Sequence, residues 1–223
     1  MWWSEERIRW YERASNATGF HRALANVLEE CITKEESILE LGCGLGYVSA
    51  LLAMDGYAIK ATDIDKRAIE EARRIHKLDI FSTLDAEKVE DEADVILLLY
   101  FGRISENDNL HHYLSHAHKR LIAVISEHRG QSKELRKNSE EPAKTENHLK
   151  RFDALRWERI AFNASFDQPL SSYDDAAAYI ETMYGRERMA EYMRYVRNED
   201  GRLYLPNEKH SSIFIIDKGG IAQ

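Results

Sequence analysis

Glu40, the alternate glycines Gly42, Gly44 and Gly46, and the distant Asp63 are the residues of this chain whose types and spacing suggest chemistry. Glycine has no Cβ, so it accepts positive φ and lets a ligand approach the backbone closely. The apolar run Ile38–Leu41 enters the turn and a helical pattern, Tyr47–Met54, leaves it. That is a buried strand, a tight turn and a helix start. About 20 residues on, a second apolar strand delivers Asp63, and an acid at that strand tip is placed to accept hydrogen bonds from a ribose diol. A nucleoside-containing cofactor is the first expectation.

Spacing narrows the choice of cofactor. The dinucleotide fingerprint is G-x-G-x-x-G with a pyrophosphate on the helix N-terminus. This chain reads Gly42-Cys43-Gly44-Leu45-Gly46, preceded by Glu40, and a carboxylate at the mouth of the turn repels a pyrophosphate but suits a cation. Here the residues resemble the class I S-adenosylmethionine-dependent methyltransferases, with Glu40–Gly46 as their first motif and Ala61-Thr62-Asp63-Ile64-Asp65 as their second. The resemblance implies an α/β, doubly wound, mostly parallel seven-stranded sheet of Rossmann-like type, and S-adenosylmethionine as cofactor. It assigns Gly42, Cys43, Gly44 and Gly46 to the turn against the cofactor, Glu40 to its amino acid end, and Asp63 with Ile64 to the ribose side. Asp85 and Ala86 fall where an Asp-Ala pair contacts the adenine, and Tyr100 where the transferred methyl is lined. The crevice across the first two strands is expected to be open, with bare backbone facing the cofactor. The Asn/Asp-Pro-Pro-Tyr/Phe motif of enzymes that methylate exocyclic base amines is absent at Tyr100-Phe101-Gly102-Arg103, which disfavours such substrates.

The elements that must position these residues fit within 223 residues, enough for one α/β domain with a full core and a small lid. A net charge of −8 argues against a nucleic-acid partner, which needs a basic face. Two cysteines, Cys31 and Cys43, exclude a disulfide framework and fit a reducing cytoplasm. The start has no signal-peptide pattern, and no apolar run approaches the roughly 20 residues that span a bilayer. The expectation is a cytoplasmic protein without a membrane partner, monomer or homodimer.

Residues 1–36 read as two helices covering the cofactor side, the first capped by Ser4, with Trp10, Tyr11, Phe20 and His21 either in that cover or packing the helices onto the sheet. Residues 37–166 read as the core, with strands at 37–41, 57–63, 80–84, 94–100, 121–126 and 156–166. A helix is expected over Asn109–His118, where His112 and His116 share one face; no other ligand completes a metal set in sequence, and no metal is expected. Residues 129–144 read as a polar loop around a short helical piece. Residues 167–209 read as a helical insertion rich in Tyr and Met, either a substrate lid or a dimer surface, and 210–223 as the last strand and tail.

Methyl transfer from a sulfonium is an in-line displacement with a neutral leaving group, so alignment and exclusion of water matter more than a fixed catalytic side chain. The catalytic residues are therefore not fixed by sequence. Tyr100, Glu127 and His128 are the candidates, the last two as a general base at a strand end or as plain loop residues. The expected function is methyl transfer to a small molecule (EC 2.1.1.-). The alternatives are a non-catalytic cofactor-binding or adapter protein of this fold, and an RNA or protein methyltransferase.

Overall fold

The computed structural model describes residues 3–106, 108–129 and 137–219. Helices α1 (Glu5–Ala17) and α2 (Phe20–Glu29) come first. The alternating part follows: β1 (Ser37–Leu41), α3 (Tyr47–Met54), β2 (Ala58–Asp63), α4 (Lys66–His76), β3 (Phe81–Thr83), β4 (Ala93–Leu99), α5 (Asn109–Ser115) and β5 (Ala117–Ser126). Two short strands, β6 (His128–Arg129) and β7 (Lys137–Asn138), pair with each other before α6 (Glu141–Leu149) and β8 (Arg156–Ser165). An excursion then holds β9 (Gln168–Leu170), α7 (Tyr173–Tyr184), α8 (Met189–Met193), β10 (Arg197–Glu199) and β11 (Arg202–Leu205), and β12 (Glu208–Asp217) returns to the sheet.

The main sheet has seven strands in the order β3-β2-β1-β4-β5-β12-β8. The first five run parallel, and β12 lies antiparallel to both β5 and β8. Both faces are buried, and side chains alternate between them with period two. Ile38, Val95, Leu97, Ile122 and Val124 join one core with α2 and α3, while Leu39, Ile96, Leu98, Leu121 and Ala123 join the other with α5 and α6. Each such side chain contributes roughly 1.5–3 kcal/mol by leaving water, so a doubly covered sheet is what these near-continuous apolar runs select.

Local signals place the helices. Ser4 Oγ accepts from the Arg7 amide at 3.3 Å to start α1, and Glu5 and Glu6 sit in its electropositive first turn. Asp65 caps α4 through the Arg67 amide at 3.0 Å, and Lys77 ends it in a left-handed conformation, φ 55°. At the opposite end of the sheet from the glycine turn, buried Glu36 is held by Arg120 at 2.8 Å and Lys119 at 3.4 Å.

Two sequence expectations are corrected. The helix over Asn109–His118 stops at Ser115, and Ala117–Arg120 belong to β5, which pairs with β4 and Asp217 of β12. His118 therefore leaves the helix for the strand, while His116, the helix's C-terminal cap, keeps its ring 5.2 Å from that of His112, whose Nε2 lies 2.8 Å from the Ala86 carbonyl. Among the described residues no group of three or more His, Cys, Asp or Glu is gathered as for a metal. The insertion is not purely helical either: β9, β11 and β10 form an antiparallel sheet within it. Its segments around Leu203 and Tyr204 alternate as a strand does, and the turn Asp200-Gly201, φ 50° and 76°, closes a hairpin. Part of the expected polar loop, residues 130–136, lies outside the described residues, and its helical piece begins at Glu141. No helix among the described residues is long and apolar enough to cross a membrane.

Candidate functional site

The glycine turn sits at the C-terminal tip of β1, beside the tip of β2. Gly42, Gly44 and Gly46 have φ of 75°, 55° and 67°, a region that L side chains rarely adopt. The turn is stitched to β2 twice: the Cys43 amide donates to the Thr62 carbonyl at 2.9 Å, and the Gly44 amide to Asp63 Oδ2 at 2.8 Å. Asp63 Oδ1 accepts from the Asp65 amide at 2.8 Å. Those bonds fix the carboxylate's plane and leave lone pairs on both oxygens for a further donor. Next to it Ile64 is 65% exposed, a large apolar side chain held in water beside a fixed acid. Leu84 donates to the Asp63 carbonyl at 3.0 Å, which brings Asp85 and buried Ala86 to the same edge. Asp85 caps the following turn through the Glu87 amide at 3.1 Å.

Glu40 is only 2% exposed and hydrogen-bonded by Ser49 of α3. Burial, with Asp63 nearby, pushes its carboxyl up to about 8. No cation pairs with it among the described residues, so an acid normally ionised at neutral pH is kept protonated. Around it a small space of about 60 Å³ is lined by Tyr11, Phe20, His21, Tyr47 and Tyr100. His21 lies 3.0 Å from Ser15 Oγ and stacks on Tyr47 at 4.8 Å, and burial lowers it to about 4, so it stays neutral.

Tyr100 follows β4 with φ 58°, a strained conformation for a non-glycine residue and of a kind that clusters at functional sites. The residue is 43% exposed while its hydroxyl meets Ser211 Oγ at 2.9 Å, and burial of that hydroxyl raises it to about 12. Beyond it a cavity of about 350 Å³ lies over the tips of β4 and β5, lined by Tyr100, Phe101, Arg103, Val124, Ser126 and Glu141. The two other catalytic candidates sit elsewhere. Glu127 is engaged by Arg159 at 3.0 Å and Ser212 at 2.7 Å, which hold its carboxyl below the usual range. His128 packs edge-on to His210 at 5.1 Å, with a buried Nδ1 lacking a hydrogen-bond partner.

The expectation of bare backbone at the turn is corrected. A Cβ on Gly42 would meet Phe101 at 2.3 Å, one on Gly44 would meet Trp3 at 3.0 Å, and one on Gly46 would meet Phe81 at 2.2 Å. Three aromatic rings take the space that the glycines leave. Phe81 is core, but Trp3 and Phe101 belong to the N-terminal segment and the loop after β4. Nothing in the spacing of Trp3, Phe101 or Ser211 marked them in sequence, because their contact with the turn is made only by the tertiary fold.

Residues 20–97, which contain the glycine turn and the Asp63 strand, match the family model of the methyltransferase small domain. No curated protein matches the chain. Among solved structures, it is similar to magnesium protoporphyrin IX methyltransferase from Synechocystis with bound S-adenosylhomocysteine, at TM-score 0.53 and 13% identity, covering 89% of this chain and 81% of that one. A candidate methyltransferase from Bacillus halodurans aligns at TM-score 0.52 and 11% identity over 87% and 98% of the two chains. A candidate RNA methyltransferase from Pyrococcus horikoshii aligns at 0.51 and 12% over 92% and 85%. The chain has the fold of these methyltransferases, and its motif-bearing segment is the part that the methyltransferase small-domain model matches.

Proposed function

We propose that the chain is an S-adenosylmethionine-dependent methyltransferase whose acceptor is a small molecule. The observation that carries the reading is the fixed pair of acids at the strand tips: Asp63, locked onto Gly44, with exposed Ile64 beside it, and buried Glu40, paired with no cation among the described residues. That donor set fits a nucleoside carrying a positive charge and no phosphate. Asp63 would hold the ribose, Ile64, Asp85 and Ala86 the adenine, and Glu40 with the turn the amino acid end. When bound, the group supplies an electrophilic methyl on a sulfonium. The chain's own part is to keep water out and to fix the line of approach, with Tyr100 between the Glu40 space and the 350 Å³ cavity. The acceptor is assigned to that cavity, whose size lies within the range of small-molecule sites. The excursion between β8 and β12 then serves as a cover.

Calorimetric titration with S-adenosylmethionine tests the reading, and absence of binding overturns it. Binding without methyl consumption across a small-molecule panel supports the adapter alternative instead. RNA binding that falls steeply with salt supports the nucleic-acid alternative. As a point test, Asp63→Ala is expected to weaken cofactor affinity by ~1–3 kcal/mol, the range for removing one partner of a buried hydrogen bond. An unchanged dissociation constant in a variant that melts normally would remove Asp63 from the site.

A further inference from the structure

Helix α1 is held between two bodies. One face roofs the glycine turn: Trp3, just before the helix, lies on Gly44, Ile8 packs with Leu45 and Ala68, and Tyr11 lines the small space beside Glu40. The other face docks on the excursion. Trp10, 1% exposed, packs with Leu170, Ala176, Tyr179, Tyr192 and Leu205, meeting Tyr179 edge-on at 5.2 Å. One turn on, Arg13 forks onto Asp175 at the start of α7, Nη1 to Oδ1 at 3.1 Å and Nη2 to Oδ2 at 2.8 Å. Its guanidinium also lies over the Trp10 ring at 4.8 Å and donates to Ser171 Oγ at 3.1 Å.

The space under α1 is about 60 Å³. Pockets for ligands of this size run to roughly 300–1,000 Å³. The shut position of α1 therefore leaves too little room beside Glu40 for the donor's amino acid end. The excursion is tied to the sheet at its base, where the Phe166 amide donates to the Asn207 carbonyl at 2.7 Å and the Asn207 amide to Asp167 at 2.6 Å. By contrast α1 is joined to the core through one short connection, with Thr18 extended between the helices. A swing about that connection would lift α1 off the turn while the excursion, its dock, stayed with the sheet. The dock is imperfect: Trp10 Nε1 is buried with no hydrogen-bond partner, a cost carried only while the helix is shut.

We propose that the Arg13–Asp175 fork is an autoinhibitory clasp that keeps α1 closed over the glycine turn, so that its release admits the methyl donor. The proposal rests on the donor reading above for the identity of what is admitted. Glu12 adds a tie on the core side, to Arg74 of α4 at 3.0 Å, but that pair leaves the dock untouched. A ligand whose competent state is scarcely populated binds weaker by that fraction, so loosening the clasp strengthens binding. A merely structural ion pair acts with the opposite sign, since its loss degrades the site.

The test uses S-adenosylhomocysteine as probe, with Arg13→Gln and Asp175→Asn as independent variants. Each is expected to tighten the apparent dissociation constant by about five-fold, the scale of a partly exposed forked pair, and to speed association by a similar factor. The charge-swapped double variant, R13D with D175R, is expected to return both to the wild-type values. Amide hydrogen exchange over Glu5–Ala17 is the second readout and should quicken in both single variants without ligand. Unchanged or weakened binding in both singles overturns the clasp. If wild type and variants all fail to bind the probe, the donor reading falls, and exchange over α1 still decides the clasp: unchanged exchange overturns it.

Discussion

A Glu40→Gln variant is expected to lose the fall in stability that the wild-type chain shows as pH rises through about 8. The carboxyl's folded-state value is raised above its ordinary 4.5, so between those limits the folded chain holds a proton that the unfolded chain has released. Its contribution is complete below pH 4.5 and is lost as pH climbs through about 8. The full span is at most about 5 kcal/mol, discounted by whatever relaxation lets water reach the site. Glutamine has nearly the same shape, keeps a partner for Ser49 and has nothing to ionise, so its stability should be flat over that interval apart from other groups. His21, lowered to about 4, works in the opposite direction by adding stability as pH rises toward 6.5, and it is common to both proteins. The difference between the two melting curves, taken at steps from pH 5 to 9, isolates Glu40, and parallel curves would show that it does not titrate as placed. The same variant should bind a sulfonium donor far more weakly at pH 8 than wild type, because wild-type Glu40 can surrender its proton to pair with the cation. Proton release on binding, read as a dependence of the calorimetric heat on buffer ionisation enthalpy, should be present in wild type and absent in Glu40→Gln.

The second large effect is at Gly46. Here alanine meets two obstacles at once: a left-handed φ of 67°, and a Cβ placed 2.2 Å from the Phe81 ring. Phe81 is core of β3, buried against Ala50, Ala61, Ile69 and Ala72, so it cannot swing aside without opening a void. Strain of ~1–2 kcal/mol and overpacking of ~1–3 kcal/mol combine to ~2–5 kcal/mol. In a chain of this size that lowers the melting temperature by roughly 5–15 °C. A paired Gly46→Ala, Phe81→Leu variant should recover the overpacking share and keep the backbone share. Melting within two or three degrees of wild type for the single variant would mean that the turn has another conformation (about 1 kcal/mol of tolerance). Donor binding should be lost with the turn, since Gly46 also begins α3.

Much of the frame was legible in the residues. Leu39, Ile96 and Leu98 sit in runs so apolar that only a strand covered on both sides accommodates them, and the limits of β1 and α4 follow from local chemistry, glycine after the one and Asp65 before the other. The glycines had to be a special turn, and their positive φ values agree. What escaped was decided at a distance. His118 reads as helical from its neighbours, yet Ala117–Arg120 are drawn into β5 by pairing with β4 and β12. The small sheet inside the excursion also pairs Leu203 of β11 with Leu170 of β9, some 30 residues back, beyond any local pattern. Glu127 looked like a free acid at a strand end because nothing near it in sequence announces Arg159, which crosses from β8. Trp3 on Gly44 was the furthest out of reach, since a glycine's missing Cβ serves a packed ring as readily as a ligand.

Because Phe166 and Asn207 face each other across one hydrogen bond, the polypeptide leaves the sheet and rejoins it at a single point. Everything between is a plug-in module: its length enters the closure entropy only logarithmically, and drift within it leaves the parallel strands alone. The indole at position 10 is the counterweight. Strip the module away and that ring, together with the apolar side of its helix, is left facing water, so a shortened descendant of this chain would need a polar residue there or a second subunit to shelter it.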